Sequence, residues 1–437
     1  MLADTAPRPI SLPLHAAGAA GASHGAAEVP APILPGEHFA AALVCFVIGG
    51  VGLIAVAGDL AAGMFFLPRV IAVVHLFTLG WIMTSIFGAL CQFLPVAIGR
   101  GLRWPGAAHA SFAAHVTGVA LFVGGLATGH PAAVHAGACG LAIGFGVFAV
   151  NLAVTLATVR DRGLTWWALA GVAVFLVVTP AYGVVLALNL RGGGLIGGSR
   201  FAVVAAHAHV AIAGVVLLTM VGVAHRLLPM FLLSHGARDH AAWTAIALLA
   251  GGAAVLAIPG GAGVRVELAG ALIAGGVVAF LVQAVTFFHH RRRRSIDPGM
   301  QLAAAGLIGL AVAVLVAPIA LSRGLRDLHL LTAYVTILLG AITLFVAGHY
   351  YKIVPFLVWY HRFGPLVGTR KVPTVAELYA APLARLDGAL LAIGWLGVAI
   401  GIFAGRGDLV RAAAVAVAAG AVLEAIIIAR VARRRVA

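Results

Sequence analysis

Charged residues are scarce in this chain of 437 residues: Asp, Glu, Lys and Arg make up only 9% of it, while 62% is hydrophobic and the mean hydropathy is +1.10. Soluble globular domains carry about 25% charged residues, so that class is excluded. Apolar runs long enough to cross a bilayer, about 20 residues each, recur along the chain. They predict an all-α polytopic membrane protein with about twelve transmembrane helices.

Acidic residues and cysteines are also few inside the apolar runs. The acids nearest to these runs are Glu37, Glu267 and Glu424. Proton pumps usually rely on buried carboxylates or an equivalent relay, so this shortage argues against efficient pumping. The cysteines are Cys45, Cys91 and Cys139. Without Cys-x-x-Cys spacing they support neither a disulfide framework nor a zinc site, and they are expected to be small buried hydrophobes.

The start of the chain and the arginines define the expected organisation. Residues 1–37 are rich in Ala, Pro, Gly and His, which predicts a disordered N-terminal segment followed by a single transmembrane domain over residues 38–432. The net charge of +15 comes almost entirely from arginine. When the spans alternate, most of these bases fall on one side, so both termini are expected to be cytoplasmic in a bacterial-type inner membrane. No nucleic-acid partner is expected.

An internal repeat relates the second, sixth and tenth predicted spans. They close on Pro95, Pro229 and Pro355. Aligned at these prolines, two sets of glycines coincide, Gly80 with Gly214 and Gly340, and Gly88 with Gly222 and Gly348. The copies begin four spans apart, which predicts three four-helix repeats with a pseudo-threefold arrangement.

Histidine is a residue that a lipid-embedded helix rarely carries without a partner. The repeat places His75 and His209 at equivalent positions on parallel helices, so their imidazoles could bind one haem iron from opposite sides. His207 points about 200° away from His209 on a helix and would serve a second centre. The third copy has Val335 at this position, beside Tyr334, which we expect to line the pocket. For any single histidine, hydrogen-bonded packing is the alternative.

Haem propionates are anionic and need charged hydrogen-bond donors. The arginines expected near the haem edge, on the outer side, are Arg69, Arg200 and Arg406. The alternative for each of them is anchoring of a helix end at the lipid headgroups.

At this point two helices resemble a known family. The stretch Ala206-His207-Ala208-His209-Val210 and its closing Leu228-Pro229-Met230-Phe231 resemble the His-x-His helix of haem–copper oxidase subunit I. The span from His75 to Leu94-Pro95 is similar to the second helix of that family. The resemblance implies twelve spans in three arcs, a low-spin haem b on His75 and His209, a high-spin haem on His207, and a site toward the outer face.

Two departures separate the chain from the oxidases. Their His-x-His helix is the tenth span, whereas here it is the sixth. Their copper ion needs three histidines, including an adjacent pair, but the adjacent pair His289-His290 here abuts the run Arg291 to Arg294 at the cytoplasmic side. Copper is therefore not expected. In these respects the chain looks closer to the NnrS-like haem-containing membrane proteins, which are associated with nitric oxide stress.

Together these observations predict a membrane-bound b-type haem protein with one or two haems and no copper triad. It would bind or reduce nitric oxide or another diatomic gas, or pass electrons, as an oxidoreductase with a quinol or cytochrome donor; a homodimer is compatible with this prediction. The alternative is a polytopic transporter without haem, in which the histidines line a proton or substrate path.

Overall fold

The structure is a computed structural model that describes residues 32–190, 194–196, 199–260 and 263–435. Within these ranges it contains 12 helices long and apolar enough to cross a membrane. They are α1 (Ile33–Ala55), α2 (Pro68–Ile98), α3 (Pro105–Thr128), α4 (Pro131–Ala157), α5 (Leu164–Leu188), α6 (Arg200–Leu232), α7 (His240–Ala257), α8 (Val264–His289), α9 (Pro298–Arg326), α10 (Leu328–Leu366), α11 (Ala381–Phe403) and α12 (Gly407–Arg433). The predicted all-α polytopic membrane fold is confirmed.

The ends of the helices follow local sequence signals. Proline opens α2, α3, α4 and α9, because its missing N–H is unpaired in the first turn of a helix anyway. The first helix begins at Ile33, inside the segment predicted to be disordered, and residues 1–31 lie outside the described residues. With an even number of spans, Ile33 and Arg433 lie on the same side, which we call the predicted cytoplasmic side; the other is the predicted outer side.

Neighbouring helices pack as antiparallel pairs, with α3 on α4, α7 on α8, α9 on α10 and α11 on α12. The bundle closes where α1 packs against α12. Helix α2 contacts both α6 and α10, so the three repeated helices meet inside the bundle. Within the apolar stretch of 18 residues that represents each span, 72% of the residues are buried in α2 and in α10, against 39% in α6. The sixth span is therefore the loosely packed member of this trio.

The repeat extends to the backbone of α2 and α6. In α2, an α-helical segment ends at His75 and a π-helical segment follows over Leu76–Met83. In α6, the α-helical segment ends at His209 and the π-helical segment covers Val210–Leu217. Each boundary in α6 follows its counterpart in α2 by the same number of residues. Helix α10, which lacks the histidine, is α-helical from Leu328 to Val358.

The glycines show what the π-helical segments do to packing. After these segments, Gly88, Gly222 and Gly348 each face the preceding helix, α1, α5 and α9 respectively. Before the end of the segments, Gly80 faces Cys45 of α1 and Gly214 faces Phe175 of α5, whereas Gly340 faces Trp395 of α11. Because one residue corresponds to about 100° of an α-helix, the wider turns of a π-helical segment rotate the part of the helix before it about the helix axis. The outer parts of α2 and α6 are therefore rotated alike relative to their neighbours, whereas α10 has a different rotation.

Two sequence expectations need correction. Cys139 is exposed on the surface of α4 and is not a buried hydrophobe, while Cys91 is buried. Asp387 is fully buried in α11, so the membrane interior holds more acid than the sequence indicated. The helix begins at Ala381, so Asp387 lies about 9 Å along it from its start.

Candidate functional site

His75 lies in the part of α2 nearest the predicted outer side. Its Nδ1 donates to the carbonyl oxygen of Ile71 at 2.8 Å. Its ring lies edge-on to Phe122 of α3, with the ring centroids 5.1 Å apart. With Nδ1 occupied, Nε2 is the nitrogen that remains for a ligand. A hydrogen bond on the other ring nitrogen is the usual way in which a metal-binding histidine is oriented.

His209 repeats this arrangement in α6. Its Nδ1 donates to the carbonyl oxygen of Ala205 at 2.8 Å. Its Nε2 lies 3.5 Å from the hydroxyl oxygen of Tyr334 in α10, whose side chain is buried. Tyr334 therefore lies next to a candidate ligand nitrogen.

His207 faces a different neighbour. Its Cε1 would lie 3.5 Å from a Cβ atom on Gly183, so the ring lies against α5. Its Nδ1 is buried and has no hydrogen-bond partner among the described residues. The ring lies within electrostatic range of His75. The structure thus places His209 next to Tyr334 and His207 within electrostatic range of His75, while the pairing of His75 with His209 stays a prediction.

The outer part of α6 is unusually open for a helix inside a bundle. None of the residues in Arg200–His209 is buried, whereas the equivalent segment of α2 buries Val70, Ala72 and Val73. His75, His207 and His209 each keep part of their surface accessible.

The three predicted propionate donors differ in their partners. Arg69 donates through Nε and Nη2 to the two carboxylate oxygens of Asp59, each at 2.5 Å. Arg406 forms an ion pair with Asp408. Arg200 is exposed at the first position of α6 and makes no ion pair within the described chain. Of the three, Arg200 has the guanidinium that no carboxylate occupies.

A separate small apolar gap of about 30 Å³ lies between the outer parts of α1, α2, α10 and α11. Val335, the third-repeat counterpart of the two histidines, lines it, and Thr332 and Thr336 are the polar residues on its wall. This gap has no nitrogen donor for a metal and is not the candidate site.

In the part of the chain that the structure describes, no group of three or more His, Cys, Asp or Glu side chains lies close enough together to hold a metal ion. Haem iron needs only one or two axial ligands from the protein. The Nε2 atoms of His75 and His209, beside the accessible outer part of α6, fit that need.

Several buried polar groups lie on the predicted cytoplasmic side. His38 and His349 each donate through Nδ1 to the carbonyl oxygen four residues earlier, and their buried Nε2 atoms have no hydrogen-bond partner among the described residues. Asp387 and Glu424 are both 0% exposed. Glu424 was among the acids that the sequence singled out, whereas Asp387 was missed although it also lies within an apolar run.

The fold and the site together define a polytopic α-helical membrane protein with a histidine cluster between its repeated helices. No protein-family model matches the chain, and no curated protein matches it.

Proposed function

We propose that this protein is a membrane-bound b-type haem protein whose axial ligands come from α2 and α6. The observation that carries the proposal is the shared construction of His75 and His209: each has Nδ1 bound to its own helix and each directly precedes a π-helical segment. π-Helical segments are rare and frequently accompany functional sites. A packing histidine would not require the same backbone irregularity in both repeats.

In this proposal His75 and His209 supply the axial nitrogens, since each has Nδ1 bound to its own helix and Nε2 left for a ligand. Tyr334 lies beside Nε2 of His209, on the side of α10. The competing assignment pairs His75 with His207, whose ring lies within electrostatic range of it. Arg200 is the candidate propionate donor, since Asp59 and Asp408 occupy the other two guanidinium groups.

Each residue has a defined task. The carbonyl groups of Ile71 and Ala205 hold the two imidazoles with Nε2 outward, and the apolar side chains of the bundle exclude water. The haem, when bound, supplies an iron that exchanges electrons and, with an open axial position, binds a diatomic gas. Nitric oxide is the gas that we propose, with a quinol or a cytochrome as electron donor. The lipid bilayer is the solvent for the apolar helices.

An absorption spectrum of the purified, reduced protein, with a pyridine haemochrome assay, tests the proposal. We expect His75→Ala to abolish the low-spin signal. If His207 is the partner, His207→Ala removes the same signal and His209→Ala leaves it; the reverse result supports the pairing predicted from the repeat. His290→Ala is the matched control, because His290 also donates through Nδ1 to its own helix but is exposed at the other side. Protein that is colourless and free of iron would refute the proposal.

The second candidate function is a haem-free transporter. One observation favours it: two fully buried acids, Asp387 and Glu424, lie within membrane-spanning helices, and acids at such positions mark proton or ion pathways in transporters. In that case the same spectrum shows no haem, and uptake of a substrate into vesicles depends on these acids.

A further inference from the structure

The contact between α11 and α12 has a regular antiparallel register. Small residues bring the two helices together at Gly401 with Val410, at Gly394 with Val417, and at Leu391 with Gly420. Continued by one turn toward the predicted cytoplasmic side, the same register places Asp387 opposite Glu424. The two carboxyl groups lie within electrostatic range of each other, which agrees with this placement.

These acids have few partners. Both are 0% exposed. Neither oxygen of the Glu424 carboxyl group has a hydrogen-bond partner in the described part of the chain, and Asp387 Oδ1 has none either. No ion pair joins either acid to a basic side chain of these residues. A buried carboxylate without a counter-charge is strongly unfavourable, so the pair must be neutralised by a bound proton or a bound cation.

A tyrosine hydroxyl group connects the acids to the loop between α10 and α11. Tyr351 donates to Asp387 Oδ2 at 2.8 Å and lies within electrostatic range of Glu424. Its ring centroid is 5.2 Å from that of Tyr379, a half-buried residue of the loop between α10 and α11. Outside the membrane span, burial raises the pKa of Tyr379 to about 12, so it stays protonated.

A second tyrosine continues the polar line toward α2. The hydroxyl group of Tyr350 lies 2.7 Å from Ser85 Oγ, and Ser85 donates to the carbonyl oxygen of Trp81 at 2.6 Å. Since the serine proton is used in that bond, Tyr350 is the donor to Ser85. Tyr350 also lies within electrostatic range of Glu424 and of Cys45 in α1. The titratable groups that face the two acids are therefore these tyrosines, with Tyr379 and Cys45 one contact further away.

We propose that Asp387 and Glu424 form a proton-binding site in the predicted cytoplasmic half of the membrane, reached from that side past Tyr379 and Tyr351. Binding converts a carboxylate into a carboxylic acid and changes no other bond. A divalent cation is disfavoured because Ca²⁺ takes 6–8 oxygen ligands and Mg²⁺ a near-ideal octahedron, more than the three free carboxyl oxygens here. The site is independent of haem and serves either candidate function.

The test uses the full chain in lipid nanodiscs. Infrared difference spectra in H₂O and D₂O detect protonated carboxyl groups, and a hydrophobic carbodiimide followed by mass spectrometry labels them. We expect a carboxylic-acid C=O band at neutral pH that shifts in D₂O, and labelling at Glu424 that Na⁺ does not prevent. Glu424→Gln and Asp387→Asn should each lose part of the band, whereas Glu267→Gln, at an exposed acid of α8, should lose none of it.

Two results would overturn this proposal. One is the absence of a protonated carboxyl band in the unmodified protein, which needs no variant to fold. The other is protection of Glu424 from the carbodiimide by Na⁺ at constant pH, which would identify a sodium site. Tyr351→Phe should keep the band and slow its shift in D₂O, since it removes a proton donor without removing an acid. A missing haem spectrum has no bearing on any of these readouts.

Discussion

His75 and His209 each end an α-helical segment, and a π-helical segment of 8 residues follows each of them. After these segments, both helices continue as α-helices and end in a left-handed residue, Gly99 in α2 and Leu233 in α6. Leu233 is the one residue other than glycine with a positive φ in the described chain, at 53°. Backbone features that disfavour ordinary side chains are thus kept in both repeats.

The π-helical segment sets the direction of His75. Deleting Thr78 should return Leu76–Met83 to α-helix and rotate the outer part of α2 by about 100° relative to the rest. We expect loss of the haem signal assigned to His75, at an unchanged helical circular dichroism spectrum. Thr78→Ala is the control, since it keeps the residue count and should keep the signal. Normal haem content in the deletion variant would show that the segment does not position the ligand.

The packing of α10 on α9 leaves no room for a side chain at Gly348. A Cβ there would overlap the carbonyl oxygen of Gly299 and lie 2.6 Å from the backbone nitrogen of Ala303. Gly348→Ala should lower the free energy of unfolding by about 1–3 kcal/mol.

Gly146 in α4 is the matched control, since a Cβ there meets nothing within 4 Å. Gly146→Ala should raise stability by about 0.5–1 kcal/mol, because alanine loses less backbone entropy in a helix. Thermal unfolding in detergent measures both variants. Equal melting temperatures for the two would contradict the predicted contact.

Asn151 of α4 ties down the segment before α3. It is 0% exposed, accepts from the Trp104 N–H at 3.0 Å and donates to the Trp104 carbonyl oxygen at 2.8 Å. Asn151→Ala leaves both backbone groups without that partner, so we expect a loss of about 1–3 kcal/mol in unfolding experiments. Thr244→Val should change little, because the exposed Thr244 bonds only to its own helix. An unchanged free energy of unfolding in Asn151→Ala would contradict this role of the amide, since water would then satisfy the two backbone groups of Trp104.

The loop after α10 contains a pH-sensitive cap. Glu377 accepts from the Thr374 N–H at 2.7 Å, and hydrogen bonds from Thr374 lower the pKa of Glu377 below its ordinary value of 4.5. A lowered pKa in the folded state stabilises the loop above pH 4.5, and this contribution is lost as the pH falls through the folded value.

Hydrogen exchange of the Thr374 amide, corrected for its intrinsic pH dependence, measures this effect. We expect protection to fall on acidification in the unmodified protein. In Glu377→Gln the protection should stay constant over that range, because glutamine accepts the bond without titrating. A pH-independent wild-type amide would contradict the role of the carboxylate.

The sequence by itself determined the helices and the repeat. Hydropathy and length are local properties, and in a bilayer each helix must satisfy its own backbone hydrogen bonds, so the spans were predictable one at a time. The equivalence of His75 and His209 followed from the same local patterns. The first helix begins at Ile33, earlier than the predicted start at residue 38, since Glu37 resembled the end of a span.

Only the tertiary structure decided which side chains face each other. That His209 meets Tyr334 and that Asp387 lies opposite Glu424 depends on the rotation and register of helices distant in sequence. A π-helical turn changes this rotation without leaving a recognised motif in the residues that form it. Helix phase is fixed by the packing of small residues against neighbouring helices, and that information does not reside in any single span.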